Sequence, residues 1–203
     1  MIQLPYIEPV FRPPSEAHSL IVQVTNGCSW NRCTFCEMYT LPQKKFSLKP
    51  LDKIEQEIAS VARSGLPVRR VFLADGDAMT LSYRRLHDIM EVIRRHLPDI
   101  QRVSSYCLPR NLRNKTVDEM ATLREMGLDL FYVGCESGDD LVLDRVKKGE
   151  DFESSLQALR KIKDAGARSS VMILNGMGGR KYSEQHARNS ALLMNEAQPE
   201  YLA

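Results

Sequence analysis

The feature that most constrains the fold is an alternation of short apolar runs with longer segments of helical period. Six runs have the length and composition of buried strands. They are Leu20–Val24, Arg70–Leu73, Ile100–Tyr106, Leu130–Val133, Ser170–Leu174 and Tyr201–Ala203. Because strands that alternate with helices are typical of repeated β/α units, the sequence predicts the α/β class with a parallel sheet.

The segments between these strands carry the pattern of amphipathic helices. In one of them apolar residues recur at i, i+3, i+4, i+7 and i+11, as Leu86, Ile89, Met90, Ile93 and Leu97. Similar segments are Leu51–Ala62, Val117–Met126, Phe152–Ala165 and Ser183–Glu196. No linker or low-complexity stretch interrupts this series, so we expect residues 1–203 to form one domain with a short N-terminal extension, 1–18.

The charge balance bears on partners and location. Lys and Arg number 28 and Asp and Glu 26, a formal net charge of +2, so nucleic acid is not indicated as a partner. No run approaches the roughly 18 apolar residues of a membrane span, and the first residues lack the order of a secretory signal. We therefore expect a cytoplasmic protein without a membrane partner.

Small, acidic or thiol groups collect where the predicted strands end. These positions are Cys28, 75–77, Ser105, 134–138 and 175–179. In a β/α barrel or half-barrel the active site is built at the carboxyl edge of the strands. Each position alone is also compatible with a plain turn, but five together indicate a site.

Three of the five cysteines, Cys28, Cys33 and Cys36, lie within nine residues. Such crowding indicates metal binding in a reducing compartment, and three thiolates suit either iron–sulfur or zinc. Structural zinc prefers two C-x-x-C pairs, whereas this loop has one pair and no nearby histidine. A four-iron cluster on three cysteines leaves one iron open to a small molecule. We therefore favour iron–sulfur and keep zinc as the alternative.

This cysteine loop resembles that of the radical S-adenosylmethionine (radical SAM) superfamily. The second gap of two residues and the aromatic Phe35 before the last cysteine match the usual pattern, while the first gap holds four residues instead of three. The resemblance runs from about Pro13 to the end of the chain. The stretch Arg12–Glu16 is similar to an uncharacterised subgroup that is labelled coproporphyrinogen-oxidase-like or grouped with tRNA-modifying members.

The resemblance implies a 4Fe-4S cluster on the three cysteines, with S-adenosylmethionine bound to the open iron. One electron from a flavodoxin- or ferredoxin-like donor then yields a 5′-deoxyadenosyl radical that takes a hydrogen atom from an unidentified substrate. The cofactor supplies this chemistry and the protein supplies orientation and dryness.

The resemblance also implies roles for individual residues. Gly76 and Asp77 would receive the amino group of S-adenosylmethionine, and Glu136 would meet its ribose hydroxyls. The alternatives are an Asx-capped turn at 75–77 and a helix-start cap at Glu136. Ser105 is also predicted to bind the cofactor, because it lies at the end of the third predicted strand.

Three further residues complete the expected cofactor site. Lys148 matches a cation near the ligand carboxylate, although lysines on a helix usually form a solvated face. Gly176 matches a glycine turn beside the adenine, and Phe35 would pack near the same ring. Trp30 is expected to cover the cluster.

The two remaining cysteines are treated separately. Side chains alternate faces along a strand, so Cys135 and Glu136 point to opposite faces while the strand stays regular. If Glu136 meets the ribose, Cys135 faces the outer helices as a small buried group. The orientation of Cys107 is left open.

We therefore predict a partial (β/α)6 TIM-like barrel of parallel strands, truncated near strand six. The predicted function is that of an enzyme that catalyses a radical reaction. The alternatives are an enzyme that modifies RNA bases, an iron–sulfur electron carrier and a structural zinc module. The short run Tyr201–Ala203 leaves an open edge at strands five and six. We expect a further C-terminal segment or a second chain to cover this edge.

Overall fold

The computed structural model describes residues 4–203 and contains one large and one small sheet. In chain order the strands are β1 (Leu20–Gln23), β2 (Thr25–Asn26), β3 (Ser47–Leu48), β4 (Arg70–Ala74), β5 (Arg102–Cys107), β6 (Leu128–Glu136), β7 (Arg168–Ile173) and β8 (Tyr201–Leu202). The large sheet is parallel and has the order β1-β4-β5-β6-β7-β8. Its edge strands β1 and β8 do not pair with each other, so the sheet is a partial TIM-like barrel, as the sequence predicts.

The helices lie between successive strands of the large sheet. They are α1 (Leu51–Arg63), α2 (Tyr83–His96), α3 (Val117–Glu125), α4 (Asp140–Arg145), α5 (Phe152–Asp164) and α6 (Gly179–Ala197). Local capping explains several of their starts, since the side chains of Ser82, Thr116 and Asp151 each accept a backbone N–H of the first turn. Across residues 4–203, none of the helices is long and apolar enough to cross a membrane.

Some boundaries differ from those read off the sequence. β6 is longer at both ends than Leu130–Val133, because its ladders with β5 and β7 continue from Leu128 to Glu136. Ile100 lies outside β5, since its amide donates to the Leu97 carbonyl in the turn after α2. α6 begins before Ser183 because Tyr182 already donates to the Gly178 carbonyl at 3.0 Å.

Apolar side chains are buried on both faces of the large sheet. The outer face and the helices enclose the main core, to which β4 contributes Val71 and Leu73. The inner face carries a second cluster that includes Phe72, Leu130 and Tyr132. Burial on both faces explains why these strands are nearly continuous apolar runs in the sequence.

The N-terminal segment packs against the inner face of the sheet. Glu16, in a 3-10 turn (Pro14–Glu16), is fully buried. Its carboxylate accepts from Arg102 Nη2 and from the Tyr132 hydroxyl, each at 2.7 Å. The Arg12–Glu16 stretch therefore connects the extension to β5 and β6.

Candidate active site

A cavity of about 390 Å³ opens at the carboxyl edge of the large sheet. The three clustered cysteines line one side of it. The ends of the strands line the rest, with Gly76 after β4, Tyr106 from β5, Glu136 from β6, and Met172 and Leu174 from the end of β7. A groove of about 950 Å³ lies at the opposite edge, between the N-terminal segment and the end of α1, and its described lining contains no thiol. The cavity lined by the cysteines is therefore the candidate active site.

The cysteines lie on one loop, residues 27–46, that is closed by a short antiparallel ladder. β2 pairs with β3 through Thr25 opposite Leu48 and Asn26 opposite Ser47. All three thiols are free and partly buried. A turn in which the Cys36 amide donates to the Cys33 carbonyl at 3.3 Å brings the last two together.

The protein environment raises the pKa of two of the three cysteines. Burial raises the pKa of Cys28, and a hydrogen bond from the Asn31 amide partly offsets this. Burial also raises the pKa of Cys33, and the positive charge of Lys148 partly offsets this rise. Metal binding to such thiols replaces their protons, so assembly of a metal site here releases protons.

The turn after β4 packs directly against the cysteine loop. Gly76 has φ +58°, and a Cβ at this position would overlap the carbonyl oxygen of Gly27. The next residue, Asp77, accepts a hydrogen bond from the Ser29 hydroxyl. Burial raises the pKa of Asp77, and the bond from Ser29 partly opposes that rise.

An ion pair between Glu136 and Lys148 lies across the cavity from this turn. Lys148 Nζ is 3.3 Å from Glu136 Oε1 and 5.9 Å from the centroid of the Phe35 ring. A Cβ at Gly134 would lie only 2.6 Å from Glu136 Oε1. Glycine at 134 therefore provides the room for this pair.

The end of β6 is irregular at Glu136, although Tyr132, Gly134 and Glu136 still line the cavity at a period of two. The φ of Glu136 is +67°, and the pairing of β6 with β7 shifts register between Gly134 and Glu136. Irregularities of this kind are common next to active sites.

The family model of the radical SAM superfamily matches residues 22–194, a range that contains the cysteine loop and the whole cavity lining. The chain belongs to the radical SAM superfamily. Members of this superfamily are enzymes, and the matched range includes Cys28, Cys33 and Cys36.

Two curated relatives and one solved structure illustrate the similarity. The chain is 25% identical over 167 residues to 4′-phospho-dehydrooxetanocin synthase of Priestia megaterium, covering 73% of this chain and 22% of the relative. It is 25% identical over 152 residues to tRNA-2-methylthio-N(6)-dimethylallyladenosine synthase of Symbiobacterium thermophilum, covering 70% and 32%. The chain thus spans about a third or less of the length of the curated relatives it matches. Coproporphyrinogen III oxidase from Escherichia coli superposes with a TM-score of 0.69 at 20% identity, over 91% of this chain and 43% of that one.

Ten residues are assigned to the metal or the cofactor by the sequence analysis, and seven of them line the cavity of this radical SAM protein. These are Cys28, Cys33, Cys36, Phe35, Gly76, Glu136 and Lys148. Lys148 is 4% exposed, whereas its neighbour Lys147 is exposed. Lys148 is therefore not part of a solvated helix face, because it lies beyond the end of α4 and turns inward.

The other three residues do not line the cavity. The Ser105 hydroxyl is buried and donates to backbone carbonyls of Leu73 and Tyr106. Asp77 is 1% exposed beneath Ser29, and Gly176 lies in the turn before α6. Their contact with a cofactor stays a prediction.

Trp30 lies outside the cavity lining, and its expected position over the cluster stays a prediction. Its Nε1 donates to the Lys147 carbonyl at 2.8 Å, and the Arg110 guanidinium lies 3.8 Å from its ring centroid. Thr34 adds a backbone bond to Val146 at 3.0 Å. Trp30 thus fastens the cysteine loop to the segment that follows α4.

Cys135 is fully buried in the core between the sheet and the helices, which confirms its predicted orientation. Burial raises its pKa to about 12. Cys107 belongs to the same core at 2% exposure, and it also borders the cavity, with its sulfur near the Leu108 carbonyl at 3.4 Å. Burial raises the pKa of Cys107 as well.

The sequence analysis missed an aromatic wall formed by Tyr39, Tyr106 and Tyr132. The rings of Tyr106 and Tyr132 meet edge to face at 6.2 Å between centroids. A period of two back along β6 from Glu136 leads to Gly134 and Tyr132, so the strand pattern contained a signal for Tyr132. Tyr39 follows the cysteines on an irregular loop and leaves no such signal.

Proposed function

We propose that this chain is the core of a radical SAM enzyme that holds one 4Fe-4S cluster on Cys28, Cys33 and Cys36. The observation that carries the proposal is that three free thiols, on a loop that departs from the superfamily motif only in its longer first gap, line one cavity together with Gly76 and the Glu136–Lys148 pair. When bound and reduced, the cluster supplies the electron that splits the sulfonium bond of S-adenosylmethionine into methionine and a 5′-deoxyadenosyl radical, which abstracts hydrogen from substrate. A flavodoxin- or ferredoxin-like protein of the cytoplasm is the proposed donor.

The donor set supports iron–sulfur rather than structural zinc. The described lining of the cavity contains no histidine. Of the two other cysteines, Cys135 lies in the outer core, and Cys107 borders the cavity but is 2% exposed and belongs to the same core. Structural zinc takes four protein ligands, whereas a three-thiolate set with an adjoining cavity leaves one metal position for a ligand.

The charged and glycine residues provide matching contacts for S-adenosylmethionine. We assign Lys148 to its carboxylate, Glu136 to the ribose hydroxyls, and Gly76 with Asp77 to its ammonium group. Charge-assisted hydrogen bonds of this type both orient and hold the ligand. Phe35 and the turn at Gly176 are assigned to the adenine.

The remaining wall excludes water from the reacting groups. Tyr39, Tyr106, Met172 and Leu174 present mostly apolar surface to the cavity. Burial raises the pKa of Tyr106 to about 12, so its hydroxyl stays protonated. A dry wall protects a radical from side reactions.

A second candidate is the modification of an RNA base. It is supported by the similarity to tRNA-2-methylthio-N(6)-dimethylallyladenosine synthase over 152 residues. Stimulation of S-adenosylmethionine cleavage by added tRNA, but not by DNA of equal length, is the result that favours it.

The test of the proposed function is anaerobic reconstitution followed by reduction with dithionite and addition of S-adenosylmethionine. We expect 5′-deoxyadenosine and methionine, measured by mass spectrometry, and neither product from a Cys33→Ala control. An intact, reduced cluster that forms no 5′-deoxyadenosine supports the electron-carrier alternative. Zinc without iron in the purified protein supports the structural zinc module.

A further inference from the structure

The loop of residues 27–46 carries all three clustered cysteines but has little regular structure of its own. Its one regular element is a 3-10 turn, Pro42–Lys44. A loop of this kind keeps its shape only through contacts with the elements around it. Those contacts therefore decide how the thiols are presented.

Asp75, the first residue after β4, contacts both ends of this loop. Its backbone carbonyl accepts a hydrogen bond from the hydroxyl of Thr25, two residues before the loop. Its carboxylate accepts from the ammonium of Lys44, near the end of the loop. One residue thus holds the two ends together against the large sheet.

The side chains of Lys44 and Asp75 are both completely buried, at 0% exposure. Lys44 Nζ also donates to the Ile7 carbonyl at 2.9 Å. A buried ion pair is a weak source of net stability, because desolvation of two charges offsets their attraction. Its place in the fold is therefore better explained by the geometry that it imposes than by stability.

Asn26 of β2 and Asp77 of the β4 turn also bind the cysteine loop. Asn26 Nδ2 donates to the carbonyls of Gln43 at 2.7 Å and Lys45 at 3.0 Å. Asp77 holds Ser29, next to Cys28. The β4 turn and β2 therefore contact the loop on both sides of its cysteines.

We propose that Lys44 and Asp75 are positioning residues that hold the cysteine loop in its metal-binding shape before the metal arrives. This inference rests on the proposed function, since it assigns the loop to a cluster. Neither residue lines the cavity, so both act through the loop rather than on a ligand. Residues that orient metal ligands in this way commonly change metal affinity when they are replaced.

The first test is the double variant Lys44→Met with Asp75→Asn. Removing both charges leaves no unpaired buried charge, so the variant is expected to fold. We expect loss of iron to a chelator to become about tenfold faster than in the parent protein. The matched control is Arg168→Met with Asp129→Asn, which removes a pair at the start of β7 and β6, at the opposite edge, and is expected to leave this rate unchanged.

The second test measures amide hydrogen-exchange rates in the metal-free parent protein. The amides of Lys44 and Cys36, bonded to the Leu41 and Cys33 carbonyls, are expected to exchange slowly without metal. In the double variant, below its melting temperature, we expect them to exchange at least about tenfold faster, while amides of β5 keep their parent rates.

Two results overturn the inference. One is unprotected loop amides in the metal-free parent, which decides the question even if the double variant does not fold. The other is a double variant with a lower melting temperature but parent rates of chelation and exchange, which assigns the pair to stability alone. Neither test uses S-adenosylmethionine. Absence of 5′-deoxyadenosine from a parent protein with an intact, reduced cluster therefore rejects the proposed function and leaves this inference standing.

Discussion

At the scale of the residue, burial decides what each cysteine of this chain can do. The clustered thiols are partly exposed to the cavity, whereas Cys107 and Cys135 are buried at 2% and 0% exposure. A thiol enclosed by apolar groups behaves as a small hydrophobic side chain. The two classes of cysteine should respond differently to the same substitution.

We expect Cys28→Ala, Cys33→Ala or Cys36→Ala to abolish cluster assembly, because each removes one of three sulfur donors. Cys135→Ala should retain the cluster and the cleavage of S-adenosylmethionine, with a loss of about 1 kcal/mol in the free energy of unfolding. Iron and sulfide per chain and the melting temperature are the measurements. Loss of the cluster in Cys135→Ala would show a fourth protein ligand and support an electron carrier.

The second residue-scale prediction concerns Lys148. Lys148→Met should weaken binding of S-adenosylmethionine to the cluster-loaded protein by about tenfold or more, since a hydrogen bond to a charged group contributes about 1.5–3 kcal/mol. Isothermal titration calorimetry measures the affinity. Lys147→Met is the matched control, because the neighbouring side chain is exposed. Equal affinity in both variants would remove Lys148 from the ligand site.

At the scale of the element, the cysteine loop is held by the segment between α4 and α5 as well as by the β4 turn. Gly149 has φ +70°, and a Cβ there would overlap the Trp30 ring and lie 2.6 Å from Arg110 Nη2. Arg110 in turn donates to the Lys148 and Gly149 carbonyls at 2.8 Å. Glycine at this position allows the tryptophan to dock.

We therefore expect Gly149→Ala to displace Trp30 and to destabilise the protein more than backbone strain alone does. Gly65→Ala is the control, because Gly65 has the same φ, +70°, and no atom of residues 4–203 lies within 4 Å of its Cβ position. That control should cost about 1–2 kcal/mol. The chain has one tryptophan, so its fluorescence reports the displacement directly. Identical melting temperatures and emission spectra for the two variants contradict the prediction.

At the scale of the whole molecule, the open sheet leaves an inner face that other parts of the chain must cover. The N-terminal segment covers part of it through Glu16, which connects Arg102 of β5 with Tyr132 of β6. Tyr132 also lines the cavity. Attachment of the N-terminal segment is thus coupled to the wall of the site.

Glu16→Gln should lower the free energy of unfolding by about 1.5–3 kcal/mol, because it weakens the hydrogen bonds that Arg102, Tyr132 and Ser19 donate to a charged carboxylate. For a chain of this length the melting temperature should fall by about 3–10 °C. Glu8→Gln in the same segment is the control, since Glu8 is exposed. A melting temperature equal to that of the control shows that the segment does not support the sheet.

The sequence by itself determined the features that depend on local pattern. Alternation of apolar runs and helical segments specified the parallel sheet, because each element must bury its apolar face against a neighbour. The period of two along β6 placed Cys135 and Glu136 on opposite faces. The spacing of Cys28, Cys33 and Cys36 indicated a metal loop, because these ligands come from one short stretch of chain.

Only the tertiary structure decided the contacts between residues that are distant in sequence. Lys44 and Asp75 are 31 residues apart, and nothing in either local stretch indicates their pairing. Lys148 and Lys147 look alike in the sequence, yet the turn after α4 buries one and exposes the other. The burial of Ser105 likewise depends on the carbonyl of Leu73 in a neighbouring strand. Periodicity records which face of an element is apolar, whereas partners of buried polar groups follow from how separate elements pack.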